Sequence, residues 1–143
     1  MKCKYKFFMS ISFIVSLTPM FLPQYGGCRG VQEISGLINL FNPIGALSAI
    51  LFFMALWIPL KKVMLSKFLG LIGCLGIIFS EIYEFLTWHI MTVSGRFSLE
   101  LSFRFAYPEF YIGLGISVAM LILYLCISYS RNLSCKLYEL NTD

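Results

Sequence analysis

The chain has one histidine and one aspartate, and only 13% of its residues are charged. That scarcity removes most catalytic sets at once. With His89 and Asp143 each alone of their kind there is no Ser-His-Asp constellation, and neither H-E-x-x-H nor a Gly-rich phosphate loop occurs. Five cysteines are present, Cys3, Cys28, Cys74, Cys126 and Cys135, but no C-x-x-C pair, which argues against thiol-redox chemistry. No cofactor motif is present, and we expect a protein that is not an enzyme.

What is abundant is apolar. Hydrophobic residues make up 59% of the 143, aromatics 17%, and the mean hydropathy is +0.83. Soluble domains run nearer 45–50% apolar and about 25% charged. A soluble fold of this length would have to hide too much apolar surface, whereas lipid as solvent removes the difficulty. The net charge of +4 does not imply a nucleic-acid partner, because the basic residues sit in short clusters beside apolar runs, as in membrane topology.

Four apolar runs read as spans over residues 7–22, 44–60, 68–89 and 111–129. Pro19 falls in the outer end of the first and should kink it. Asn42 is placed to cap the second, with Pro43 at its first helical position. Aromatic residues mark several ends: Trp57, Trp88, Tyr111 and Tyr129. With four spans, Lys2, Lys4, Lys6, Lys61, Lys62, Lys67, Arg131 and Lys136 share one side, while Arg29, Arg96 and Arg104 lie on the other. The positive-inside rule then puts both termini in the cytoplasm of a multi-pass cell-membrane protein. The sequon at Asn132 falls on that inner side, where it cannot be used.

The N-terminal stretch also shares features with a signal peptide: a Lys-rich start, an apolar run, then Gly26-Gly27-Cys28. Tyr25 stands where a small aliphatic residue is expected, and residues 19–23 prolong the run, so the segment is expected to remain as the first span. Cys28 alone faces outward, so no disulfide can join the two outer loops. Cys74 and Cys126 read as small packing residues, and Cys3 and Cys135 as free thiols near the inner surface.

Two outer loops should form a cap. In the first, a turn-rich patch from Tyr25 to Gly30 precedes Val31, Ile34, Leu37, Ile38 and Phe41 at helical spacing, which reads as a short amphipathic helix on the membrane surface. In the second, RFSLELSFRFAY (96–107) alternates strictly. Phe97, Leu99, Leu101, Phe103, Phe105 and Tyr107 fall on one side, and this predicts a β-strand ended by Pro108. A lone strand cannot satisfy its backbone, so it needs a neighbour: an extended segment near 25–31, a second copy, or another protein.

The third span carries Glu81 and Glu84, one turn apart, and no other span contains an acid. A carboxylate at membrane depth costs roughly 2.5–3.5 kcal/mol on insertion scales. On a helix, Gly70, Cys74, Ile77, Glu81, Glu84 and Trp88 form one stripe, small at one end and polar at the other, which should face other helices. Candidate partners of the acids are Ser48, Tyr124 and Ser10, Ser12 and Ser16 of the first span, or Arg96 or Arg104 folding down from the loop. A metal reading fails, because Glu84 and His89 are about 140° apart on the helix and no second Glu-x-x-His exists. Gly45-x-x-x-Ala49, Gly76-x-x-x-Ser80 and Gly115-x-x-x-Ala119 offer small residues for close helix approach.

The expected fold is therefore one all-α membrane domain over 1–143, a four-transmembrane-helix up-and-down bundle with a small outer cap. The expected function is binding a partner, in the bilayer or at the outer face, as an accessory subunit or a protective, immunity-type protein, with a membrane protein or a second copy as partner. The alternative is an oligomeric proton- or cation-coupled transporter or channel using Glu81 and Glu84.

Overall fold

Prolines and their neighbours set most helix limits. The structure, a computed structural model, describes residues 3–27, 32–58, 63–90 and 94–140, with side chains over 5–27, 32–58, 63–90 and 94–128. The expectations for Lys2, Cys3, Lys4, Cys28, Arg29, Gly30, Val31, Lys61, Lys62, Tyr129, Arg131, Asn132, Cys135 and Lys136 concern segments or side chains outside those ranges. Helix α1 (Cys3–Leu17) gives way to a 3₁₀ turn (Thr18–Phe21) with Pro19 in its first positions. There Ser16 and Thr18 donate back to the carbonyls of Phe13 and Val15, at 2.7 Å each, and Thr18 supplies Val15 with the donor that Pro19, four residues on, lacks. Helix α3 (Pro43–Trp57) begins on Asn42, whose Oδ1 accepts from the Ile44 amide at 3.0 Å. It stops at Trp57, short of residue 60. Ile58 precedes Pro59 and is pushed to extended backbone (φ −78°, ψ 126°). Helix α4 (Val63–His89) starts five residues before the expected 68, and α6 (Pro108–Leu140) begins on Pro108 itself.

These four helices pack in alternating directions. Phe13 of α1 stacks on Phe52 of α3 at 4.3 Å between ring centres, and Trp57 donates to Ser10 at 3.0 Å. Helices α3 and α4 approach closest: a Cβ on Gly73 would lie 2.9 Å from the Ser48 carbonyl oxygen, and one on Gly76 would strike the Ser48 side chain. Gly45 faces the Asn39 carbonyl and Ser80. Two of the small-residue motifs thus meet across one interface, while Gly115 has nothing within 4 Å and Ala119 is exposed. Cys74 is buried, but Cys126 is exposed, so only the first is a packing residue.

The protein is mostly helical. Helix α4 and the Pro108–Ser128 part of α6 are long and apolar enough to cross a membrane, and only 28% of each window is buried within the protein. Tyr5–Phe21 and Pro43–Trp57 are shorter apolar helices. All four expose large apolar side chains, among them Ile14, Leu47, Phe79 and Ile112.

The cap departs from expectation. Strands β1 (Pro23–Tyr25) and β2 (Ile34–Ser35) form an antiparallel pair, so the anticipated amphipathic helix shrinks to α2 (Leu37–Phe41). Gly26 and Gly27 turn the chain with φ of 103° and 76°, values open to glycine. The alternating segment is not a strand. Residues Leu99–Arg104 form helix α5, and strand-like pairing survives only where Tyr25 bridges Ala106. There the Gly26 amide donates to the Phe105 carbonyl at 3.1 Å and the Tyr107 amide to the Gln24 carbonyl at 2.8 Å. A helix closes its own backbone, which the lone strand could not. Ser98 Oγ accepts from the Leu101 amide at 3.4 Å, with Glu100 in the first turn and Arg104 in the last, both suited to the helix dipole. The six apolar residues consequently split: Phe97, Leu99 and Phe103 are exposed, and Leu101, Phe105 and Tyr107 turn partly inward.

Candidate functional site, a buried polar layer under the cap

On α4 the whole predicted stripe is buried: Gly70, Cys74, Ile77, Glu81, Glu84 and Trp88. Its two acids lie between two apolar clusters. One is built on Phe13, Phe52, Cys74, Ile77 and Tyr124, the other on Tyr25, Phe85, Trp88 and Phe110. Glu81 is 1% exposed and Glu84 8%, so protein rather than lipid surrounds both.

Each acid is held from a different element. Ser117 of α6 donates to Glu81 Oε1 at 2.8 Å. The Asn42 side-chain amide donates to Glu84 Oε1 at 2.6 Å while its oxygen caps α3, so one residue ties the cap of α3 to α4. A second chain of bonds runs beside them. The Asn39 amide donates to Gln24 Oε1 at 3.1 Å, Gln24 reaches back to the Pro19 carbonyl at 3.5 Å, and Ser80 donates to the Asn39 carbonyl at 2.9 Å. Gln24, Asn39 and Ser80 are each 1% exposed. The layer is therefore assembled from α2, α3, α4, α6 and β1 together.

Among the described residues, Glu81 Oε2, Tyr25 Oη and Asn39 Oδ1 are buried here without a hydrogen-bonding partner. Tyr25 is stacked on Trp88 with 5.6 Å between ring centres. Its burial holds the phenol far above the usual tyrosine range, and the carboxylates of Glu81 and Glu84 push the same way. The layer can thus hold two carboxyl groups out of lipid and present one of them, half-bonded, beside a neutral phenol.

The expected partners of the acids are elsewhere. Ser48 donates to its own turn at Ile44 (2.6 Å), and Ser10 and Ser16 likewise bond to Lys6 and Phe13. Ser12 is half-buried on α1. Tyr124 donates to the Lys67 carbonyl at 2.9 Å, at the opposite end of the bundle. Arg96 is exposed in the loop, its amide 3.3 Å from Ser94 Oγ, and Arg104 lies over the Phe105 ring at 5.9 Å. Of the two donors actually used, Ser117 and Asn42, the first matches its acid in depth. Glu81 and Ser117 are almost equally far from the cap-side ends of their helices at His89 and Pro108, whereas Tyr124 lies two turns deeper. Among the described residues no group of three or more His, Cys, Asp or Glu is placed to hold a metal ion.

A second polar device fixes the cap. His89 is fully buried, its Nε2 accepting from the Ser98 amide at 2.9 Å and its Nδ1 lying 3.2 Å from Ser102 Oγ. Ser102 Oγ itself donates to the Ser98 carbonyl at 3.4 Å, which assigns the ring proton to Nδ1. Ser98, the N-cap of α5, offers its backbone amide and Ser102, one turn on, its hydroxyl, so the first turn of α5 brings both to one imidazole. Replacing His89 with phenylalanine is expected to orphan a buried amide and cost about 1–3 kcal/mol. Limited trypsin digestion should then cut after Arg104 faster than in the parent, and an unchanged rate would remove His89 from this role.

No family model, no curated protein and no solved structure matches the chain.

Proposed function

We propose that the chain is a non-enzymatic, multi-pass protein of the cell membrane, with four spans and both termini cytoplasmic, that acts by binding a partner at its outer face or within the bilayer. An accessory subunit or a protective, immunity-type protein fits this description. The observation that carries it is the distribution of apolar surface. Every long helix leaves an apolar face uncovered, as lipid-facing spans do, and the cap adds exposed Phe41, Phe97, Leu99 and Phe103 on the side away from the lysines. Helix α3, 15 residues and so about 22 Å long, is short for a ~30 Å hydrocarbon core. Thinning of the bilayer and snorkelling lysines would accommodate it. In this reading Glu81 and Glu84 fix how α3, α4 and α6 meet, and the cap supplies the contact.

The test is a triple substitution of exposed side chains, Phe97→Ser, Leu99→Ser and Phe103→Ser. The expected result is a protein that melts as the parent does but no longer retains its crosslinked partner. Retention of that partner by the triple variant would sink the cap as contact surface.

The unbonded Glu81 Oε2 beside the Tyr25 phenol favours a second reading, a proton- or cation-coupled transporter or channel working as an oligomer. Tyr25→Phe separates the two. Removing a buried hydroxyl that bonds no protein group leaves stability unchanged or raises it by about 1 kcal/mol. In the binding reading, partner retention survives. In the transport reading, flux in reconstituted vesicles falls.

A further inference from the structure

His89 is the chain's one histidine, and it stands where α5 is fastened to α4. Its ring is fully buried, Nε2 accepting from the Ser98 amide at 2.9 Å and Nδ1 lying 3.2 Å from Ser102 Oγ. An imidazole accepts a hydrogen bond only while neutral; once protonated, both its nitrogens are donors. A proton on Nε2 would point straight at the Ser98 N–H, and two donors cannot hold each other at that distance. Ser98 is also the N-cap of α5, so its position sets where that helix begins. Further along the segment, Phe103 meets Phe85 edge-on at 5.1 Å between ring centres, and Phe105 meets Trp88 at 6.3 Å. What happens at Ser98 therefore bears on how the cap covers the outer aromatic cluster.

We propose that His89 is a proton-operated latch: neutral, it clamps the start of α5 to α4, and protonated, it lets α5 go and loosens the cap. Against the ring stand Trp88 and Phe97, at 5.8 and 6.3 Å between ring centres, and neither is charged. On α4 the acids are bonded elsewhere, Glu81 to Ser117 and Glu84 to Asn42. Tyr25 of β1 stacks on Trp88, and Arg96, Glu100 and Arg104 are exposed, with Arg104 over Phe105. Residues 90–95 include no ionisable side chain. Charges near the cap move the pH at which the ring titrates, but the Ser98 bond decides what titration does. The closed latch has no place for a second ring proton, whereas an imidazole freed into water takes one up below about pH 6.5. The closed form is thus favoured above that pH, and the opening constant rises by up to about ten-fold for each pH unit below it. The latch depends on neither the partner nor the transport reading of the chain.

Because no other histidine is present, the whole protein isotope-labelled at its histidine ring nitrogens reports on His89 alone. In detergent at about pH 7.5 the NMR signals should be those of a neutral ring with its proton on Nδ1. On going to about pH 5 the ring should become the cation. Deuterium exchange over residues 98–105, corrected for the pH dependence of exchange itself, should lose about 30-fold of its protection over the same range. The transmembrane part of α6 should keep its own. His89→Gln leaves an acceptor for the Ser98 amide but cannot titrate, so α5 should stay equally protected at both pH values. A neutral ring carrying its proton on Nε2, a cationic ring with α5 still protected, or loosening of α5 while the ring is neutral would overturn the latch. So would the same acid loosening in His89→Gln. If glutamine fails to hold α5 at either pH, the coincidence of ring titration and loosening in the parent decides.

Discussion

A Gly73→Leu protein is expected to lose the packing of α3 on α4, and a Gly115→Leu protein to keep its fold intact. Both glycines lie in apolar helices with small residues nearby. At Gly73 even a Cβ would sit 2.8 Å from the Phe52 Cβ and 2.9 Å from the Ser48 carbonyl oxygen and the Phe52 nitrogen. Two of those atoms are backbone, so relief requires the helices to separate. Gly115 has nothing within 4 Å, and a leucine there only adds apolar surface to an exposed position. Between helices in lipid, association rests on close van der Waals approach rather than on apolar burial. Gly73→Ala should then cost about 1–3 kcal/mol, the usual penalty for overpacking, with leucine beyond that range. Thermal unfolding of the three proteins in one detergent measures it. Equal midpoints for Gly73→Leu and Gly115→Leu would show that α3 and α4 do not meet as described.

The contrast between those glycines shows what a sequence of this kind makes legible. Periodicity and solvation cost point to a buried face on α4, because a carboxylate placed in lipid is so expensive that its side of the helix must be covered. Local chemistry points equally well to the start of α3, since Asn42 and Pro43 act within two residues of each other. Spacing alone does not tell Gly76-x-x-x-Ser80, which lies in the α3–α4 interface, from Gly115-x-x-x-Ala119, which does not. That depends on how α6 is rotated about its axis. Depth does not single out the partners of the acids either: Ser48 is close in depth but spends its hydroxyl on its own turn.

The segment from Arg96 to Tyr107 is a different kind of failure. Its strict alternation is real, yet the six apolar residues do not share a face. A backbone accounting already stood against a solitary strand. What tips the balance is tertiary: His89, at the end of α4, accepts the amide of Ser98, the N-cap, and meets Ser102 one turn on, which the first turn of a helix brings together. The short extended stretch that does form, around Ala106, exists because Tyr25 is packed against Trp88 and brings β1 alongside. Neither constraint is written in the local pattern.

Asn42→Asp is expected to be strongly destabilising, and to be rescued by Glu84→Gln. Asn42 caps α3 with its oxygen and donates to Glu84 with its nitrogen. Asn42→Leu loses both, at about 1 kcal/mol for the cap and about 1–3 kcal/mol for the orphaned buried carboxyl. Asn42→Asp keeps the capping oxygen but turns an attraction into two facing carboxyl groups in a layer that excludes solvent. Adding Glu84→Gln restores one amide and one carboxyl with their places exchanged, and the melting temperature should return most of the way to that of the parent. If Glu84→Gln rescues nothing, the bond between α3's cap and α4 is not what Asn42 contributes. The swapped pair also bears on function. It preserves the hydrogen bond and the total charge while moving the carboxyl from the helix to the cap. A partner-binding protein should tolerate it, whereas a conduction path that needs an acid on α4 at this depth should fail even though the fold is intact.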